Sequence, residues 1–147
     1  MRVHVGVQGR ATAPVAWERY ADPDAWSGWS PQIRSVETAA APEVESGLTP
    51  VAEPSAPSPR RIVAGLRGVV LGPVGVQVPF EVLGVDEEAM TWTWRVHAVL
   101  AELTLEHSVS ARVGGGCRTD LFVDGPAPLV LGYAPLARLA LTRLVRP

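Results

Sequence analysis

Residues 101–113 alternate without a break. Ala101, Leu103, Leu105, His107, Val109, Ala111 and Val113 fall on one side; Glu102, Thr104, Glu106, Ser108, Ser110 and Arg112 fall on the other. A period of two sustained this long is a strand with one buried face and one wet face. Such a strand needs neighbours for its backbone groups and a cover for its apolar side. The flanking sequence offers both. Strand patterns are predicted over 2–11, where Val3, Val5 and Val7 share a face, and over 32–38, 61–72, 74–85, 90–97 and 117–124. Gly72-Pro73, Asp86-Glu87-Glu88 and Gly114-Gly115-Gly116 separate several of them as turns.

Two short helices are predicted after the first strand. Thr12 or Ala13 caps one, with Pro14 in its first turn, and Asp22 caps a second that carries Trp26 and Trp29. After the last strand, residues 127–146 place Leu129, Val130, Tyr133, Ala137, Leu141 and Leu144 at helical spacing. Arginines 138, 143 and 146 suit the negative end of that helix, and Pro135 inside it predicts a kink or a delayed start. The expected fold is therefore α+β: about seven antiparallel strands with one long C-terminal helix to cover them. The whole chain, 1–147, reads as one domain. Residues 39–59 hold five prolines (42, 50, 54, 57 and 59) and are expected as a loop or insertion.

Composition excludes several classes of function. A net charge of -2 leaves no positive excess for a phosphate backbone, so nucleic acid is not an expected partner. All 13 basic residues are arginine, which removes Schiff-base chemistry on lysine. Cys117 is the sole cysteine, so no internal disulfide can form. The polar N-terminal segment does not read as a signal peptide, and no apolar run approaches the roughly 20 residues that cross a bilayer. A cytoplasmic location without a membrane span is the expectation. His4, His97 and His107 are scattered and have no metal-ligand spacing, and the glycine triplet lacks a following Lys-Ser/Thr. Neither a metal nor an organic cofactor is expected. The carboxylates at 81, 102, 106, 120 and 124 fall on faces read as exposed, without a paired-carboxylate signature.

The segments Ala13-Pro14-Val15-Ala16-Trp17 and Ala21-Asp22-Pro23-Asp24-Ala25-Trp26-Ser27-Gly28-Trp29-Ser30-Pro31 resemble the opening of polyketide cyclase/dehydrase-type proteins. These belong to the START-like (SRPBCC, Bet v 1-like) superfamily. The likeness continues through Gly65-Leu66-Arg67-Gly68, Trp92-Thr93-Trp94, the strand with His107, and Gly125-Pro126 before the last helix. It covers nearly the whole chain except 39–59. It implies a helix-grip fold, in which a curved sheet and the long helix enclose an apolar cavity. The superfamily includes ligand carriers, sensors and aromatase/cyclases, so fold alone does not decide the chemistry.

Two readings follow. In the first, the protein binds a small hydrophobic molecule, aromatic or polyketide-like, as in bacterial secondary metabolism. Trp26, Trp29, Phe80, Trp92, Trp94, Leu105, His107 and Tyr133 are the expected ligand-binding residues. In the second, it is a cyclase or dehydratase in which His107 acts as general acid or base and Tyr133 or a Trp N–H orients a carbonyl. Arg95 and His97 lie opposite the Trp92/Trp94 face and are expected outside. The chain could be a monomer or a homodimer paired through a sheet edge.

Overall fold

The computed structural model describes residues 1–38 and 61–147; the loop expected at 39–59 lies outside them. The elements are β1 (Arg2–Gly9), α1 (Ala13–Ala21), a 3-10 turn (Pro23–Ala25), α2 (Trp26–Trp29), β2 (Ser35–Thr38), β3 (Arg67–Leu71), β4 (Gln77–Asp86), β5 (Thr91–Ala98), β6 (Ala101–Ala111), β7 (Cys117–Asp124) and α3 (Ala127–Leu144). The strands form one antiparallel sheet in the order β1-β7-β6-β5-β4-β3-β2. This is the α+β helix-grip architecture.

Register decides what the buried face displays. Across four strands one row runs Val5, Leu121, His107 and Trp92, and the next runs Val3, Val123, Leu105 and Trp94. Phe80 and Val82 continue the inward face on β4. A bulge between Val82 and Gly84 then shifts the parity, and Val85 comes to pair with Trp92.

Local chemistry sets the helix ends. Thr12 Oγ1 accepts from Val15 N, and Pro14 sits in the first turn of α1. The last turn of α1 leaves carbonyls without partners inside the helix. The indole N–H of Trp26 donates to Tyr20 O at 2.8 Å, and that of Trp29 donates to Arg19 O at 3.0 Å. Asp22 caps the 3-10 turn through Asp24 N. At the C-terminus of α3, Arg19 Nη1 donates to Leu144 O and Arg146 O, both at 2.6 Å. The cation that answers this helix end therefore comes from α1, not only from the helix's own arginines.

Several expected boundaries are corrected. Residues 61–66 are not strand; there Ile62 is buried and its N–H donates to Ala21 O, while Arg61 bridges Glu18 and Glu87. Trp17 Nε1 also donates to Glu87, so this network joins α1, residue 61 and the β4–β5 turn. Strand β4 starts at Gln77 because Pro73–Gly75 forms a 3-10 turn. That leaves Val74 and Val76 exposed, not on the core face, with Val74 at φ 60. Val113 is exposed because β6 ends at Ala111. The second short helix divides into the 3-10 turn and α2. Pro135 does not delay α3, which starts at Ala127 and runs through it. Proline removes one N–H, so Leu131 O loses its usual partner there. Both residues are exposed, and water can replace the bond.

Two glycines of one turn make a test of this packing. Gly114 and Gly116 both have positive φ (90° and 77°), but a Cβ on Gly116 would collide with the Gly9 carbonyl, while Gly114 faces open space. Gly114→Ala should cost about 1 kcal/mol from backbone strain alone. Gly116→Ala should cost more, about 2 kcal/mol or above, because the β1 end must also move. Urea unfolding of the two variants measures the difference; equal losses would contradict the close approach.

Candidate functional site

A cavity of about 390 Å³ lies between the inner face of the sheet, α2 and α3. The sheet supplies Trp92, Trp94, Leu105 and His107 to its wall, and α2 supplies Trp26 and Trp29. Tyr133, Ala137, Ala140 and Leu141 line it from α3. It extends to the β3–β4 turn and to Ala98 at the end of β5. Seven of the eight expected binding residues therefore meet around one space. Phe80 is the exception. It packs behind the wall, 5.6 Å from the Trp26 ring and 5.5 Å from that of Trp94.

The wall is an aromatic assembly. Trp92 stacks on His107 at 4.7 Å and 12°, and on Trp26 at 5.6 Å and 29°. Trp94 lies 5.2 Å from both Trp26 and Trp92. Four of the five indole N–H groups are satisfied, by Glu87, Tyr20 O, Arg19 O and His107. Trp92 Nε1 is buried without a partner.

His107 sits inside a directed run of hydrogen bonds. Trp94 Nε1 meets its Nε2 at 3.1 Å, and its Nδ1 meets the Tyr20 hydroxyl at 3.3 Å. Tyr20 meets Thr119 Oγ1 at 2.7 Å, and Thr119 meets Ser108 O at 3.0 Å. An indole N–H can only donate and a backbone carbonyl can only accept, so both ends of the run are fixed. Every role between them follows. His107 accepts at Nε2 and donates from Nδ1; Tyr20 donates to Thr119, which donates to Ser108 O. The imidazole is thus neutral with its proton on Nδ1. Burial pushes its pKa down to about 3. A proton on Nε2 would also face the Trp94 N–H, donor against donor.

Tyr20 and Thr119 did not stand out in sequence. Tyr20 is fully buried behind Trp29, Trp92 and His107, and burial raises its phenol pKa strongly. Tyr133 faces the cavity, and burial raises its pKa to about 12, with the Gln32 amide acting against that shift. Gln32 is a further lining residue, and its Oε1 is buried without a partner.

The polar groups expected outside are outside. Arg95 Nε and His97 Nδ1 face Glu102 at 3.8 and 3.0 Å, and Glu106 pairs with Arg2. Arg118 and His4 hold Asp120, which lowers its pKa against the opposing effect of partial burial. Cys117 is buried as a free thiol. Among the described residues, no group of three or more His, Cys, Asp or Glu could hold a metal ion, and no helix is long and apolar enough to cross a membrane.

No family model matches the chain, and none of the curated proteins does. Solved structures do. A protein from Nitrosospira multiformis is similar over 99% of this chain and 94% of its own, with a TM-score of 0.73 at 11% identity. A protein from Thermobifida fusca is similar over 98% and 90%, with a TM-score of 0.70 at 14% identity. Ara h 8.0201, a Bet v 1-like allergen, is similar over 98% and 94%, with a TM-score of 0.67 at 9% identity. Identities this low establish a shared fold, the Bet v 1-like helix-grip, and nothing finer.

The neutral histidine has a measurable consequence. Below about pH 6.5 the unfolded chain protonates position 107, whereas the folded protein does so only near 3. The unfolded state therefore binds more protons in that window, and stability falls as pH drops through it. The slope should approach about 1.4 kcal/mol per pH unit. In His107→Gln, whose amide can accept from Trp94 and donate to Tyr20, most of the slope between about pH 4.5 and 6.5 should vanish. An unchanged slope in denaturant titrations would contradict the buried neutral imidazole.

Proposed function

We propose that the protein is a container that binds a small hydrophobic molecule, aromatic or polyketide-like, in this cavity. The observation that carries the reading is the void itself. It measures about 390 Å³ and reaches the exposed Val74 and Val76, so a small molecule can enter it from that side. A void of this size lined by indoles favours an occupant that restores the contacts. The shared fold supports the reading, since Bet v 1-like proteins commonly hold hydrophobic ligands.

The cyclase or dehydratase alternative draws less support. A general base works best with a pKa near the operating pH, and His107 lies far below it with both nitrogens engaged. Tyr133 is shifted the other way. We assign both as binding residues: His107 as a stacked, fixed part of the wall, Tyr133 as a polar contact.

Native mass spectrometry of freshly purified protein should reveal an adduct that organic solvent removes. Ala137 is buried on α3 and faces the void. Ala137→Leu should therefore fill part of the cavity, keep or raise the melting temperature, and weaken binding of an apolar probe about ten-fold. Undiminished binding by that variant would place the ligand elsewhere.

A further inference from the structure

Polar side chains on the cavity wall are few. Ser30 and Gln32 lie on the segment joining α2 to β2, and both line the cavity. Tyr133 lines it from α3. The Gln32 amide and the Tyr133 phenol therefore face the same space from opposite sides of the chain, one from the α2–β2 segment and one from α3. Gln32 Oε1 is buried with no partner. Among the described residues that line the cavity, none is Asp, Glu or Arg.

We propose that the cavity selects an uncharged, flat, mostly apolar molecule whose hydroxyl or carbonyl group docks against Ser30, Gln32 and Tyr133. The inference rests on the container reading above and adds the chemistry of the occupant. A ligand hydroxyl can donate to Gln32 Oε1 and accept from the Tyr133 O–H, and Ser30 can serve as either partner. A carbonyl can accept from the Tyr133 or Ser30 hydroxyl but leaves Gln32 Oε1 without a donor. A pure hydrocarbon leaves Gln32 Oε1 unsatisfied, which costs binding energy. A carboxylate loses its hydration, finds no cation among the described lining residues, and meets an amide oxygen. A flat ring system suits the indole wall, where Trp26, Trp92 and Trp94 pack against one another and present their rings to the cavity.

Three probes of one ring system separate these chemistries: naphthalene, 2-naphthol and 2-naphthoic acid, measured by equilibrium dialysis at neutral pH. The wild type should bind 2-naphthol about ten-fold more tightly than naphthalene, and the naphthoate more weakly than either. Gln32→Leu combined with Tyr133→Phe should bring 2-naphthol to the level of naphthalene while leaving naphthalene within about two-fold. Circular dichroism confirms that the variant is folded, and if it is not, each single substitution is measured alone. Naphthoate binding as tightly as naphthol, or a naphthol preference that survives the substitutions, overturns the polar subsite and leaves the container reading standing. Failure of all three probes to bind overturns the container reading and this inference with it.

Discussion

The inner face of the sheet is tied to α1 by one directed run of hydrogen bonds, from Trp94 through His107, Tyr20 and Thr119 to Ser108 O. The polar atoms of this run are satisfied inside an aromatic core, which makes a histidine tolerable there. The run also fixes where the rings stand. Tyr20 holds the imidazole from behind, and Trp92 stacks on the imidazole. Trp26 and Trp29 are tethered to the last carbonyls of α1. The rings thus gather on the side of α1 and α2.

The void forms because the opposite wall is built from smaller groups. Helix α3 lines the cavity with Tyr133 and Leu141 but also with Ala137 and Ala140, and the rigid indoles cannot bend to meet those two alanines. Fixed rings on one wall facing two alanines on the other leave a gap that close packing would otherwise remove. The arrangement also explains the chemical tone of the site. The described wall holds no ionised side chain, and its histidine is neutral, so the cavity suits recognition of shape and of a neutral polar group more than proton transfer.

The alternation of β6 and β7, the tryptophan pairs and the apolar positions of α3 were legible in the sequence. Each rests on a local period that burial enforces. Register did the rest: once β5 and β6 pair, Trp92 must face His107. What could not be read was contact between elements far apart in the chain. Tyr20 sits in an ordinary amphipathic helix, and its partner Thr119 lies 99 residues away. Gln32 belongs to a stretch whose pattern suggested strand, yet β2 begins only at Ser35. Phe80 has the right parity for the cavity, but Trp26 and Trp94 stand in front of it. Val74 and Val76 follow the strand alternation but end exposed at the edge of the cavity instead of in the core, because Pro73 starts a 3-10 turn before β4.

The central claim is a real interior space between the tryptophan wall and α3, and xenon tests it without any guess about the natural occupant. Apolar cavities take up xenon readily. A crystal of ligand-stripped protein under xenon pressure should show the gas bound among Trp92, Trp94, Ala137 and Leu141. Absence of xenon there, with the side chains of α3 closed onto the indoles, would contradict the account.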